Sequence, residues 1–323
     1  MRESPAPEPG DGELLIRTMA ATICTSDLID IKENPFGIEL PVIMGHEGAG
    51  VVEKTGGGVT DFAPGDRVAA HPVMHCGRCI SCRRGLFHLC DDMEHLGLNR
   101  GGTFADYFVI RADRARRLPD ALSFGAGALM EPVCVCLESL ERANVREGSN
   151  VLIIGDGPFG IITAKLARSR NPAGIVLLGR HGFRLSRAGD GVVAINEREC
   201  GDIAGAAIAA AGGEFDSCII CAADKDAVGL GISVLRSRGT LCLFSGLSGK
   251  TPVDLFRVHV KELNICGSCN DADYLDDAIN FLCDATLDIG GVITHNFAFG
   301  EWERAFRQAG SGKDSGLKAA MIF

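Results

Sequence analysis

The chain has 323 residues, 46% hydrophobic and 23% charged, with a formal net charge of −10 and a pI near 5.3. That length holds two domains with cores of their own, and an acidic balance without any run of Lys or Arg excludes nucleic acid as a partner. The longest apolar stretches, such as Ile203–Ala211, fall short of a membrane span, and fourteen cysteines in a chain of this size without a signal peptide read as metal ligands and reduced core thiols in a cytoplasmic protein.

Glu3–Pro9 (ESPAPEP) is a Pro-rich connector, and the first clear strand is Glu13–Thr18. A connector with so little before it leads us to expect a missing opening strand or hairpin. Up to residue 125 or so the texture is strands and loops with frequent turns, among them Phe62–Val68 (FAPGDRV) and Gly102–Tyr107 (GTFADY). From Asn150 short apolar strands (150–155, 174–179, 192–196, 215–222, 239–246 and 262–268) alternate with helical stretches, the first over 158–170. Continuous Val/Ile/Leu runs separated by helices form a parallel sheet covered on both faces. The tail adds an amphipathic helix (Asp273–Asp284) and an apolar strand (Ala319–Phe323). The expectation is an α/β protein: an irregular β-rich domain of residues 1–128 and 272–323 beside a doubly wound parallel-sheet domain of residues 129–271.

The first strand of that second part ends in Gly155-Asp156-Gly157-Pro158-Phe159-Gly160. After a strand and before a helix, this pattern is a dinucleotide fingerprint. Gly155 makes the tight turn, Gly157 lets the backbone approach a pyrophosphate at the helix N-terminus, and Gly160 lets helix pack on strand. The alternative is a glycine-rich turn that binds nothing. About twenty residues further on, where an acid usually meets the adenosine ribose, the chain reads Leu178-Gly179-Arg180-His181, with Arg184 one turn later. Missing that acid, and with guanidinium donors for a 2′-phosphate, the site is expected to favour NADP(H) over NAD(H). Against this stands the ordinary fate of arginines, which is solvation at the surface.

Cys76, Cys79, Cys82 and Cys90 form a C-x2-C-x2-C-x7-C run. Four sulfurs close a tetrahedral zinc shell and leave no position for chemistry. Cys24 and the Gly45-His46-Glu47 segment offer a second donor set, in which a thiolate, an imidazole and a carboxylate hold zinc and leave a position for water or substrate.

Together these motifs resemble the zinc-dependent branch of the medium-chain dehydrogenase/reductase family, the alcohol, polyol and threonine dehydrogenases. Gly45-His46-Glu47-x2-Gly50-x5-Gly56-x2-Val59 fits that family's zinc signature, and the four-cysteine lobe, Pro64–Val68 and Glu131-Pro132 occur in the expected order. The resemblance implies a GroES-like zinc domain, a Rossmann domain and two zinc ions per chain. The structural ion would sit on Cys76, Cys79, Cys82 and Cys90. The catalytic ion would sit on Cys24 and His46, with Glu47 and Glu131 completing the shell directly or through water. Ser26 would relay the substrate's proton and Asp27 would orient His46. A His that many relatives carry five residues after the first Cys is Ile29 here, so the outward proton path must differ. His71, His75, His95 and His259 are read as structural or surface residues. A carboxylate at 131 leaves a harder metal that suits a chelating substrate. With Ser268–Asp271 nearby, this points to a secondary alcohol or ketone of a polyol, sugar or (amino)cyclitol. The alternatives are an NAD-dependent threonine- or sorbitol-type enzyme and a catalytically inactive zinc-binding scaffold, though a scaffold needs no such set as Cys24, Ser26, His46 and Glu131. Relatives begin some twenty-odd residues earlier and form homodimers or homotetramers through an edge strand, here expected near 239–246 or 262–268.

Overall fold

Ten residues, buried along most of their length, make β1 (Glu13–Thr22) the hub of an antiparallel sheet. In the computed structural model, which describes residues 3–247, 249–312 and 314–323, this strand pairs with three others. One is β2 (Glu47–Thr55), which leads on to β3 (Arg67–Ala70). The short pair β4 (Val73–Met74) and β5 (Glu94–His95) stands apart as a ribbon. Two further strands complete this part: β6 (Tyr107–Arg111) lies against the first half of β1, and β7 (Ala115–Arg117) lies beyond β3. Gly50 lets β1 and β2 approach, because a Cβ there would lie 2.1 Å from the Arg17 carbonyl. Leu14, Ile16, Val52, Val68, Phe108 and Ile110 fill the core of this sheet.

The second sheet is wholly parallel: β8 (Asn150–Ile154), β9 (Gly174–Gly179), β10 (Val192–Asn196), β11 (Phe215–Ile220), β12 (Leu235–Leu243) and β13 (Asn264–Gly267), in the order β10-β9-β8-β11-β12-β13. Its central strands β8, β9 and β11 are apolar on both sides because both sides are covered. Ile153 and Ile219 face the helices Met130–Arg142 and Pro158–Ala167, whereas Leu152, Val176 and Ile220 pack with Ala207, Val228 and Ile232 of Ile203–Ala211 and Asp226–Val234. The strand order reverses between β8 and β11, and the crevice at that point is where such sheets bind ligands.

The chain then returns to the first sheet. β14 (Ile293–Ala298) and β15 (Lys318–Ile322) pair in parallel, and β15 lies antiparallel to β1, with Ala20 opposite Ile322. The GroES-like and Rossmann-type layers therefore match the expected fold class. Two expected elements shift. The helix over 158–170 is α-helical only to Ala167 and ends in a 3-10 turn, because Asn171 takes a left-handed conformation (φ 48°) and caps it. The strand expected over 239–246 runs from Leu235 to Leu243 and is interior, between β11 and β13, so only the strand near 262–268 lies at a sheet edge. Among the described residues no helix is long and apolar enough to cross a membrane.

Candidate active site and metal centres

Cys24 ends the extended run after β1 and caps the helix Thr25–Glu33; its N–H donates to Asp27 Oδ2 at 2.8 Å. Gly45, at φ +91° and pressed against Phe104 and Thr103, turns the chain so that His46 and Glu47 enter β2 facing Cys24. Ligand atoms of Cys24, His46 and Glu47 lie within 4.8 Å of one another, and all three residues are buried. Asp27 Oδ1 is 3.3 Å from His46 Nδ1, which leaves the other ring nitrogen for a ligand. Ser26 stands half-buried in the first helical turn. Glu131 enters from the first turn of Met130–Arg142, 8% exposed, and its Oε2 has no partner. Burial, with Glu47 nearby and opposed by His46, pushes its carboxyl up to about 8. An orphaned buried carboxyl beside a Cys–His–Glu cluster is the donor set that suits a catalytic zinc with an open position.

The second centre is built differently. Cys79 caps the short helix Ile80–Arg83, and amide donors aim at the sulfurs: Arg78 and Cys79 N–H at Cys76, Cys82 N–H at Cys79, and Cys76 and Asp92 N–H at Cys90, all at 3.3–3.5 Å. Those from Arg78 and Cys79 hold the Cys76 thiol down at about 6, whereas burial pushes Cys82 up to about 12. The four sulfurs lie within 4.8 Å of one another and none is in a disulfide. Amides aimed at converging thiolates fit a four-sulfur ion.

The glycine loop fits a nucleotide by the same kind of test. Gly155 (φ +125°) leaves no room for a Cβ against Ala222, and Gly160 would place one 1.8 Å from the Gly155 carbonyl. At Gly157 a Cβ meets nothing within 4 Å, so the loop faces open space at the start of the helix Pro158–Ala167, with Phe159 packed edge-on to Phe244. The residues expected to take a 2′-phosphate are occupied. Arg180 Nε and Nη2 bond Glu197 and Asp224 at 2.8 and 2.6 Å. Arg184 is buried with Nε on the Gly316 carbonyl. Gly179 adjoins the carboxylate of Asp156. Both arginines therefore already carry protein contacts at the position where the expected preference for NADP(H) would need them.

Several residues at the site carried no signal in the sequence. Lys318 on β15 is fully buried, with Nζ 2.7 Å from Glu47 Oε2 and 5.7 Å from the centre of the Phe159 ring, so it joins the donor cluster to the glycine loop. Burial works against its charge, but Glu47 and Cys24 hold its ammonium above the usual value. Thr22 donates to the same carboxylate. His71, read as an ordinary histidine, is buried with Nε2 2.5 Å from Asp271 Oδ2, and Arg114 donates to its Nδ1 at 2.9 Å. Cys134 lies beside this pair, but both ring nitrogens are already engaged. His95 stands with its ring 5.8 Å from that of His46, and burial, then His46, push it down to about 3.

The family described as Alcohol dehydrogenase GroES-like domain matches residues 10–120. L-Idonate 5-dehydrogenase of Vitis vinifera is 30% identical over 95% of this chain and 87% of its own. Sorbitol dehydrogenase of Arabidopsis thaliana is 30% identical over 96% of this chain and 88% of its own. A zinc-binding dehydrogenase of Sinorhizobium meliloti bound to NADP superposes with a TM-score of 0.92 at 27% identity, covering 100% of this chain and 95% of that one. A short chain alcohol dehydrogenase of E. coli CFT073 complexed with NADH does so at 0.90 and 25%, covering 98% and 94%. The chain belongs to the zinc-dependent medium-chain dehydrogenase/reductase family. Within it, the chain is an oxidoreductase of the alcohol dehydrogenase type.

Proposed function

We propose that the protein transfers a hydride between a nicotinamide dinucleotide and a secondary alcohol or ketone of a polyol, sugar or (amino)cyclitol, with two zinc ions per chain. The observation that carries this reading is the buried Cys24–His46–Glu47 cluster, with the orphaned Glu131 carboxyl close enough to feel the charges of His46 and Glu47, a donor set that would make an oxygen-rich open site suited to neighbouring hydroxyls. The idonate and sorbitol dehydrogenases among its relatives support the substrate class. Zinc would supply a Lewis acid for the reacting oxygen, and the nucleotide would accept or give the hydride.

The chain's own residues do the rest. Ser26 carries the hydroxyl proton away, and Asp27 fixes the His46 tautomer. Lys318 balances Glu47 where no water reaches. Cys24, His46 and Glu47, with Glu131 alongside, would hold the catalytic ion, and Cys76, Cys79, Cys82 and Cys90 the structural one. Gly155, Gly157, Pro158, Phe159 and Gly160 take the pyrophosphate at the start of their helix. We assign the metal chemistry to residues 1–128 and 272–323 and the nucleotide to 129–271, supported by the return of β14 and β15 to the first sheet.

A cytoplasmic setting is supported by fourteen unpaired cysteines. A homodimer or homotetramer joined along β13 is supported by the exposed Leu255, Phe256, Val260 and Ile265 on that edge and the helix before it. The test is metal analysis together with a coupled nicotinamide assay over polyols, inositols and their ketones. Two zinc ions and turnover of a vicinal diol are the expected outcome. One zinc with no turnover on any hydroxylated substrate would sink the reading in favour of a scaffold.

A further inference from the structure

We propose that Asp156 selects the nucleotide: its carboxylate stands at the adenosine ribose position and admits a free 2′-hydroxyl, as in NAD(H), while rejecting a 2′-phosphate. The inference rests on the nicotinamide-nucleotide reading above. In most sheets of this topology the ribose acid comes from the end of the second strand. Here that strand, β9, ends in Gly179, and the acid comes instead from the second position of the glycine loop. Asp156 Oδ2 accepts the N–H groups of Arg180 and His181, each at 2.7 Å, and His181 Nδ1 lies 3.0–3.1 Å from the two carboxylate oxygens. Gly179 makes the exchange possible. A Cβ at that position would stand 2.5 Å from Asp156 Cβ and 2.6 Å from Oδ2.

Three consequences follow from this geometry. The two backbone donors at the end of β9, which a phosphate would seek, already hold an anion. Among the described residues Oδ1 meets only His181 and so keeps lone pairs for a ribose hydroxyl. The charge around the site is also unfavourable to a dianion, since the Arg180 guanidinium is already paired with Glu197 and Asp224, and the Asp156 carboxylate lies against the Arg180 backbone N–H. A 2′-phosphate would meet like charge at close range in a half-buried site, where screening is weak.

The experiment is a binding titration of the zinc-loaded protein, independent of turnover. It follows nicotinamide fluorescence with NADH and NADPH and displacement by 5′-ADP and 2′,5′-ADP, for the wild type and for Asp156→Asn, Asp156→Ser and Arg180→Ala. The wild type should bind NADH at least tenfold more tightly than NADPH, about 1.4 kcal/mol, and 5′-ADP should displace it better than 2′,5′-ADP. Asp156→Asn and Asp156→Ser should lower that ratio at least tenfold, and Arg180→Ala should leave the preference for NADH in place. A group that merely braced the loop would weaken both nucleotides alike and leave the ratio unmoved. Tighter NADPH binding by the wild type, or an unchanged ratio in both Asp156 variants, overturns the proposal. If the folded, two-zinc protein binds neither nucleotide, the nucleotide reading itself falls, and the selectivity with it.

Discussion

Ser26 and Glu131 should fail in different ways when altered. Ser26→Ala removes only a proton carrier, so kcat should fall by about 100-fold or more with zinc content intact, read by steady-state kinetics beside metal analysis. Glu131→Gln instead weakens a donor. The variant should lose zinc from the open site under mild chelation while the four-sulfur site keeps its own, so stoichiometry moves from two towards one. Equal retention at both sites would deny Glu131 a part in holding the ion. Both residues were singled out through the resemblance to the family's motifs, whereas the four-cysteine run stood out by itself, because metal ligation tolerates few residue types and a short loop imposes fixed spacings. Lys318 was not legible. It meets Glu47 across 271 positions, and an apolar strand ending Lys-Ala-Ala-Met-Ile gives no reason to bury its first residue. Asp156 drew no role in the sequence, since its contacts depend on where β9 ends in space.

At the scale of elements, the glycine loop and the cysteine lobe separate folding from binding. Gly160→Ala drives a methyl into the Gly155 carbonyl and should cost about 2 kcal/mol or more, seen as a lower urea midpoint. Gly157→Ala meets nothing within 4 Å among the described residues, so the midpoint should hold while nicotinamide-nucleotide binding weakens at least tenfold; unchanged binding would mean that the pyrophosphate lies elsewhere. Cys79→Ser should release one zinc and make residues 76–90 the first site of proteolysis, because a loop with so little core depends on its ion. The alternation of strand and helix was legible from residue 150 onward because buried strands need continuous apolar runs. The reach of β12 to Leu235 was not, since Arg236–Gly239 breaks that run with polar side chains.

At the scale of the molecule, the Arg114–His71–Asp271 network ties the first sheet to the segment that follows the second. Burial alone would raise the Asp271 carboxyl, but His71 and the N–H groups of Asp273 and Tyr274 hold it down at about 2, against 3.8 for an unperturbed Asp. The folded state therefore favours the ionised form. The resulting stability, about 2 kcal/mol, is complete above pH 4 or so and is lost as pH falls towards about 2. Asp271→Asn should flatten this acid limb of the unfolding free energy relative to wild type, and parallel limbs would show the network to be inert.

The return of β15 to β1 also sets an order of assembly. During synthesis the parallel sheet is complete before Lys318 exists, so Glu47 faces Cys24 and His46 without its counter-charge while the rest of the chain is still emerging. The nascent protein can therefore fold its nucleotide half while the cluster that would hold the reactive ion remains unbalanced. The Glu47 counter-charge is thus supplied only once β15 lies between β1 and β14, much as a keystone set last fixes an arch that has already been standing on its frame.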